Sequence, residues 1–300
     1  MPSAIVARMV DLHTHTTCSD GTLTPRELVE LAAQVGLTAV AVTDHDTVDG
    51  LPAAVDAGPD LGIEVVPGVE VNCEHRRVTV DLLGYFFGAL PGDELEEQLH
   101  KLRAYRNERN ARMLARLGEL GYPITAEDLV RAAGGRAVGR PHIGEAMRRR
   151  GYVSSVSEAF ERFLRRGAPA WVDRRRLTLG EAVRLVRRAG GIATIAHPGI
   201  IRADRAGLAR VVHEAAGCGV GGLECYYPAH DDDTVRRCLD LARRNDLVPT
   251  GGSDFHGDTK PDIVLGRGAG GRPIDDRILR ALRRRWGRQR ASAAPRAACD

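Results

Sequence analysis

The sequence has few lysines, few aromatic residues and no regular cysteine framework. Only Lys101 and Lys260 among the 43 basic residues are lysines, so nearly all of the positive charge is carried by arginine. The six cysteines form no C-x-x-C pair, which predicts free thiols in a reducing compartment and no disulfides. Aromatic residues make up 4% of the chain, and no nucleotide-binding P-loop occurs.

Long apolar runs are also missing. No stretch approaches the roughly 18 residues that a membrane span requires, and the N-terminus lacks the basic, apolar and small-residue segments of a signal peptide. We therefore expect a cytoplasmic protein with no membrane partner. A length of 300 residues with 43% hydrophobic content suffices for one large α/β domain or for a domain with an insertion.

A short polar stretch near the start of the chain predicts a metal site. His13 and His15 are one residue apart on an extended segment, so their side chains point to the same side. Asp20 lies on the turn that follows. An apolar run over residues 5–10 predicts a buried strand before this stretch, and residues 25–35 predict a helix after it. Strand, polar tip and helix form the first unit of an α/β fold.

The same pattern returns at later strand ends. Apolar runs over residues 38–43, 63–71 and 78–85 predict three further strands, and the rhythm resumes after residue 169 with strands that end near residues 196, 227 and 252. Polar side chains at successive strand ends are typical of the open face of a β/α barrel. These side chains are His45, Glu70, Asp81, His197, Asp254 and His256.

Between the strands that end by residue 85 and those that follow residue 169, the sequence pattern becomes helical and rich in arginine. We predict a barrel formed by residues 1–94 and 169–290, a helical insertion over residues 95–168, and a disordered tail over residues 291–300. Arginines recur at helical spacing from Arg103 to Arg112, which fits either a solvated face or a phosphate clamp. Residues 139–142 open a helix whose first N–H groups favour an anion, and this favours the clamp.

The strand ends and the H-x-H stretch together supply nine nitrogen and oxygen ligands without a cysteine. That number exceeds what one tetrahedral ion can use, so we expect two or three divalent ions, with Glu70 as the natural bridge. The ligand set does not choose between Mn, Fe and Zn. Clustered ions of this kind suit the hydrolysis of phosphate esters.

Six motifs in this chain resemble those of the PHP (polymerase and histidinol phosphatase) superfamily. More closely, the chain resembles stand-alone phosphoesterases of the nucleoside 3′,5′-bisphosphate phosphatase and RNase AM type. The resemblance implies an α/β fold, a distorted (β/α)7 barrel with a metal cluster at its C-terminal mouth and a helical insertion domain. The motifs span residues 11–15, 19–21, 43–47, 68–70, 196–198 and 252–257.

The resemblance also implies a role for each site residue. The three ions would be held by His13, His15, Glu70 and Asp254, by Glu70, Asp81 and His197, and by Asp20, His45 and His256. Substrate phosphate would be bound by Arg103, Arg106, Arg140 and His142. His230 matches a histidine at the edge of the site and is a candidate proton donor and substrate contact. With Asp20 and His45 it completes the predicted catalytic residues.

Asp81 departs from the pattern of the relatives, which usually have a histidine at this position. A carboxylate can replace an imidazole as a ligand, but it is harder and negatively charged. The substitution therefore predicts a changed metal preference or a changed occupancy at the second ion position.

The leading hypothesis is a metal-dependent phosphatase, a cytoplasmic hydrolase that removes the 3′-phosphate of a nucleoside 3′,5′-bisphosphate such as pAp by attack of a hydroxide that bridges two ions. One alternative is a 5′→3′ exoribonuclease on short RNA, in which the basic insertion would track the strand. A second alternative, from another class, is a catalytically inactive nucleotide-binding module. The expected partner is thus a small nucleotide or a short oligonucleotide, and no duplex DNA is expected.

Overall fold

The computed structural model describes residues 8–134 and 138–293. In this part of the chain the strands are β1 Met9–Asp11, β2 Leu37–Val42, β3 Glu64–His75, β4 Val78–Tyr85, β5 Leu177–Thr178, β6 Ile192–Ile195, β7 Gly222–Tyr226 and β8 Val248–Gly251. The helices are α1 Pro25–Gln34, α2 Leu51–Leu61, α3 Asp93–Glu119, α4 Ala126–Ala133, α5 Arg140–Arg149, α6 Val156–Ala159, α7 Leu179–Arg188, α8 Arg205–Cys218, α9 Asp232–Arg244 and α10 Arg277–Ala293.

The chain divides into two compact units. The first comprises Met1–Glu96 and Leu177–Asp300, and the second comprises Glu97–Arg176. The sequence pattern placed the insertion at residues 95–168. The second unit extends further because Ala170 and Val172 are buried in its own hydrophobic core.

The first unit is built around one sheet with the strand order β1-β2-β3-β4-β6-β7-β8, and β5 pairs with β3 off this path. β4 runs antiparallel to both of its neighbours, whereas the other neighbours on the path are parallel. The path closes beyond the ends of β1 and β8, where His15 N–H donates to the carbonyl of Phe255 (2.9 Å) and Asp254 N–H donates to the carbonyl of His13 (2.8 Å). Seven strands on one closed path confirm the predicted distorted (β/α)7 barrel.

Local sequence signals explain how this barrel starts. Thr24 caps α1 in a capping box with Glu27, and Pro25 occupies the first helical position. β6 is buried along its whole length, which is typical of a barrel strand covered on both sides. Gly252 is required where the barrel closes, because a Cβ atom there would lie 2.2 Å from the Cβ of His13.

The second unit contains only helices and turns among its described residues. It is formed by most of α3, by α4 to α6 and by a π-helical turn over Phe160–Leu164. Its core is made by buried side chains from each part, among them Met113, Ile143 and Leu164. A separate core of this size explains why the helical insertion forms a compact unit.

Two predictions at the chain ends extend beyond the described residues. The first predicted strand included residues 5–7, which lie outside them, and β1 begins at Met9. The predicted tail began at residue 291, whereas α10 continues through Ala293; the rest of that prediction lies outside the described residues. Within the described part of the chain, no helix is long and apolar enough to cross a membrane.

Candidate metal centre

Eight of the nine predicted metal ligands meet at the carboxyl ends of the barrel strands. His13 and His15 follow β1, His45 follows β2, and Glu70 lies within β3, where it pairs with His45 in an isolated bridge. The remaining ligands come from the turns after β1, β6 and β8. The three groups of donors whose atoms lie within 4.8 Å of one another are His15, Asp20, His45 and His256; His13, His15 and Asp254; and His13, Glu70 and His197.

Glu70 lies at the centre of this arrangement and is 1% exposed. Its Oε2 lies 3.3 Å from Nε2 of His13, 3.3 Å from Nε2 of His15 and 3.0 Å from Nδ1 of His45. Its Oε1 lies 3.1 Å from Nε2 of His197. One carboxylate thus faces four imidazoles from three different strand ends. This is the geometry that a bridging ligand needs.

Two further carboxylates complete the ring. Asp254 Oδ1 lies 3.5 Å from Nε2 of His13, 3.3 Å from Nε2 of His15 and 3.4 Å from Nδ1 of His256. Asp20 Oδ1 lies 3.2 Å from Nε2 of His256 and 3.6 Å from Nδ1 of His15. Imidazoles and carboxylates therefore alternate around a shared interior.

The donors fit divalent ions. Nε2 of His15 is buried without a hydrogen-bond partner among the described residues, although carboxylate oxygens of Glu70 and Asp254 each lie 3.3 Å from it. A buried polar atom without a partner is rare in proteins, and an ion between these groups explains it. Nitrogen and oxygen donors in overlapping groups suit Mn, Fe or Zn without deciding between them. The residues present thus support divalent metal binding.

Two of these candidate ligands have a strained backbone conformation. Asp254 has a φ of 57° and His197 has a φ of 29°, both in the left-handed region that side-chain-bearing residues rarely adopt. Such strain persists where the surroundings over-determine the conformation, and it is concentrated at functional sites. Here it directs both side chains into the shared interior.

Asp81 lies outside the three groups. Its Oδ2 is 3.9 Å from Nε2 of His197, and its Oδ1 accepts a hydrogen bond of 2.5 Å from the side-chain amide of Asn72. Burial and the nearby charge of Glu70 raise the pKa of Asp81. Its predicted role as a ligand of the second ion stays a prediction, and an ion there would have to compete with Asn72.

Both ring nitrogens of His230 are engaged by the main chain. Nδ1 donates to the carbonyl of Cys225 (3.0 Å), and Nε2 accepts from the N–H of Gly199 (3.0 Å). Burial, as the main cause, lowers the pKa of this ring. These contacts favour the neutral ring, whereas a proton donor must carry an extra proton. The role of His230 as proton donor stays a prediction, and it would require the ring to break its contact with Gly199.

Three residues near the ligands were missed by the sequence analysis. Glu224 on β7 is fully buried and contacts His13. Tyr227 Oη donates to Oδ2 of Asp254 (3.0 Å), and Lys260 Nζ lies 2.6 Å from the same oxygen. A glutamate inside an otherwise apolar buried strand was a usable signal for Glu224. Nothing local marked Lys260.

Three histidines of the centre, His13, His15 and His197, have raised pKa values because carboxylates surround them. Burial alone would lower the pKa values of His15 and His197, but their acidic neighbours, Glu70 among them, raise both to about 9. Glu70 and Asp254 are buried as well, yet the histidines hold their pKa values well below the usual range. Cations that bind here must therefore displace protons.

We expect a pH-dependent exchange of protons for metal. A pKa raised from about 6.5 in the unfolded chain to about 9 stabilises the metal-free fold below pH 6.5, and this stabilisation is lost as the pH rises to 9. The melting temperature of chelator-treated protein should fall over this range, while the increase produced by Mn²⁺ should grow. Thermal melts at fixed ionic strength test this. A metal-induced increase that shrinks between pH 6.5 and 9 would contradict it.

The second unit, taken by itself, gathers arginines around a buried guanidinium. Arg109 on α3 is 5% exposed, and its Nε has no hydrogen-bond partner among the described residues. Burial and the charges of its neighbours lower its pKa to about 9. A buried cation whose strongest charged neighbours are also cations favours an anion as ligand. These neighbours are Arg174, Arg140, Arg106 and Arg176.

Two of the predicted phosphate contacts, Arg106 and Arg140, therefore belong to this cluster. The guanidinium of Arg140 lies 4.8 Å from the ring centroid of Trp171, which fixes its plane. His142 Nδ1 accepts the N–H of Gly139 (3.0 Å) at the start of α5. Arg103 is half-buried on α3. The sequence analysis did not select Arg109, Arg174 or Arg176.

Comparisons with known proteins agree with this chemistry. The model of the PHP domain matches residues 11–133. The chain is 36% identical to the phosphoribosyl 1,2-cyclic phosphate 1,2-diphosphodiesterase of Eggerthella lenta, over 82% of this chain and 94% of that protein. It is 32% identical to the 3′,5′-nucleoside bisphosphate phosphatase of Chromobacterium violaceum, over 82% and 87% of the two chains.

A further relative is the 5′-3′ exoribonuclease Rnm of Salmonella typhimurium, at 30% identity over 87% of this chain and 89% of that protein. Among solved structures, a candidate metal-dependent phosphoesterase from Bifidobacterium adolescentis superimposes with a TM-score of 0.76 at 31% identity, over 93% of this chain and 96% of that chain. The similarity therefore extends over nearly the whole chain.

Proposed function

The chain belongs to the PHP domain family and is a metal-dependent phosphoesterase, and from this premise we propose that it removes the 3′-phosphate of nucleoside 3′,5′-bisphosphates such as adenosine 3′,5′-bisphosphate (pAp). The 3′,5′-nucleoside bisphosphate phosphatase of Chromobacterium violaceum supports this substrate. The observation that carries the proposal is the buried Nε of Arg109, which lies among four other arginines and has no hydrogen-bond partner in the part of the chain that the structure describes.

The residues at the barrel mouth would prepare the reacting phosphate. Divalent ions held there would lower the pKa of the attacking water and neutralise charge on the phosphate. Glu70 contacts four imidazoles, three through Oε2 and one through Oε1. Tyr227 and Lys260 hold the outer oxygen of Asp254, so its inner oxygen stays directed at His13 and His15.

The arginine cluster would serve the phosphate that does not react. A monophosphate offers a single anionic group, which the metal centre itself neutralises. A 3′,5′-bisphosphate brings a second dianion, and a guanidinium binds phosphate through paired N–H donors. Arg109 and its neighbours provide such donors in a partly desolvated surrounding, where each contact is stronger than in water.

Two relatives support a second candidate, in which the substrate is RNA or a cyclic ribose phosphate. The exoribonuclease of Salmonella typhimurium acts in the 5′-3′ direction on RNA, and the Eggerthella lenta protein is named for a phosphoribosyl cyclic phosphate. An RNA substrate would place several phosphates on basic side chains. The logarithm of its affinity would then fall steeply with the logarithm of salt concentration.

A phosphate-release panel tests the proposal. Mn-loaded protein is given pAp, 3′-AMP, short RNA carrying a 5′-phosphate, and a ribose cyclic phosphate, and the products are separated by chromatography. We expect kcat/KM to be highest for pAp, with 5′-AMP and inorganic phosphate as products. If the parent protein releases no more phosphate from pAp than the double variant Arg103→Ala, Arg140→Ala does, the assignment is wrong. Higher activity on RNA or on the cyclic phosphate selects the second candidate.

Replacing Arg109 by methionine should weaken activity on a substrate that carries a 5′-phosphate and spare activity on one that lacks it. Charge-assisted hydrogen bonds contribute about 1.5–3 kcal/mol each, so kcat/KM for pAp should fall about 10–100-fold. The value for 3′-AMP, which lacks the 5′-phosphate, should change little. Steady-state kinetics on both substrates measure the difference.

The matched control for this variant is Arg112→Gln on the same helix, where the side chain is 60% exposed. It should leave both substrates unaffected. Because methionine removes a buried cation from a group of cations, the Arg109 variant should melt no lower than the parent protein. Equal losses on pAp and 3′-AMP would show that Arg109 does not bind the second phosphate.

A further inference from the structure

Glu224 is a fully buried carboxylate on β7 that belongs to none of the three donor groups. Its Oε1 lies 3.1 Å from Nδ1 of His13, and its Oε2 lies 3.3 Å from the same nitrogen. Its Oε2 also accepts the main-chain N–H of His197 at 2.7 Å. One carboxylate therefore contacts two residues that lie in the candidate metal centre, one through its ring and one through its backbone.

The contact with His13 decides which nitrogen of that ring is available for a metal. A carboxylate only accepts hydrogen bonds, so Nδ1 must carry the proton that bonds Glu224. The lone pair is then on Nε2, the atom that lies 3.3 Å from Glu70 and 3.5 Å from Asp254. A histidine that ligates metal generally donates its other N–H to such an acceptor, and the acceptor fixes both ring orientation and tautomer.

The contact with His197 explains why two acceptor oxygens are needed. His197 has a φ of 29°, and its N–H would lack this partner if Glu224 were absent. The carboxylate satisfies both donors, one with each oxygen. A glutamine has one acceptor oxygen and one NH₂ group. If its oxygen keeps the N–H of His197, its NH₂ group faces Nδ1 of His13.

We propose that Glu224 is a positioning residue that holds His13 in the Nδ1–H tautomer and so makes Nε2 available to ions held by the two donor groups that contain His13. The inference rests on the metal-binding part of the proposed function and needs nothing about the substrate. It also predicts unequal effects within the centre, because the group formed by His15, Asp20, His45 and His256 has no contact with Glu224 among those the structure describes.

The variant Glu224→Gln tests the proposal. A glutamine NH₂ group next to Nδ1 favours the tautomer with hydrogen on Nε2, which removes the lone pair that would bind metal. In Zn-loaded parent protein labelled with ¹⁵N-histidine, we expect an Nδ1 proton resonance that the variant lacks. Competition with a chromophoric chelator should show about 10–100-fold weaker affinity for at least one Zn²⁺ ion, with another ion bound as in the parent.

Thr250→Val is the matched control. Thr250 pairs with Glu224 in the sheet register, and its buried Oγ1 has no hydrogen-bond partner among the described residues. Valine keeps its shape, so metal affinity and the Nδ1 resonance should persist. If Glu224→Gln folds and binds every Zn²⁺ ion as tightly as the parent, or keeps the Nδ1 resonance, the proposal is wrong. If the parent protein does not hydrolyse pAp but Glu224→Gln still loses Zn²⁺ affinity as expected, only the proposed substrate is wrong.

Discussion

Replacing Glu70 by glutamine should lower kcat for phosphate-ester hydrolysis by at least ~10³-fold, which corresponds to about 4 kcal/mol of transition-state stabilisation. Glutamine keeps the shape of the side chain and removes the negative charge that faces His13, His15, His45 and His197. Ions that share this carboxylate would lose a common ligand, and both the positioning and the charge of the centre depend on it. Steady-state kinetics and elemental analysis of the purified variant measure the two effects.

The control is Glu74→Gln, four residues further along β3, where the side chain is half-buried and lies outside the donor groups. It should keep nearly full activity and metal content. A Glu70 variant with full metal content and a kcat within tenfold of the parent would show that Glu70 does not bridge ions. A variant that loses both metal and activity supports the bridging role.

The residues of the three donor groups could be proposed from the sequence because each of them carries a local signal. His45, His197 and Asp254 all follow a short apolar run, and in a barrel with this strand order the ends of such runs meet at one rim. A polar residue that follows an apolar run in the sequence therefore lies at the rim of the barrel in the structure. The resemblance to a known family added the order of the motifs.

The residues that support the ligands could not be predicted in the same way, because their partners are remote in sequence. Glu224 and His13 are separated by 211 positions, and the contact exists only because β7 and β1 face the same barrel interior. Lys260 stands in a loop with no periodicity. Similarly, the second unit ends at Arg176 rather than at residue 168, since burial of Ala170 and Val172 is a property of the packed core.

Asp11 should be the carboxylate whose loss most destabilises the barrel. It is fully buried and accepts hydrogen bonds from Ser253 N–H (2.9 Å), Gly266 N–H (2.7 Å), His13 N–H (3.2 Å) and the hydroxyl of Ser253. Asp11→Ala would leave these buried donors without an acceptor, so we expect the free energy of unfolding to fall by about 3–5 kcal/mol. Urea denaturation with excess Mn²⁺ measures this value.

Two further variants show whether the lost hydrogen bonds of Asp11 cause the destabilisation. Ser253→Ala removes only the hydroxyl and should cost about 1 kcal/mol, whereas Asp56→Ala on the exposed face of α2 should stay within about 0.5 kcal/mol of the parent. Since Asp11 joins the end of β1 to the segment after β8, its loss should also separate His13 from Asp254 and weaken metal binding. An Asp11→Ala variant as stable as Asp56→Ala would mean that the backbone contacts of His13 and His15 close the barrel without it.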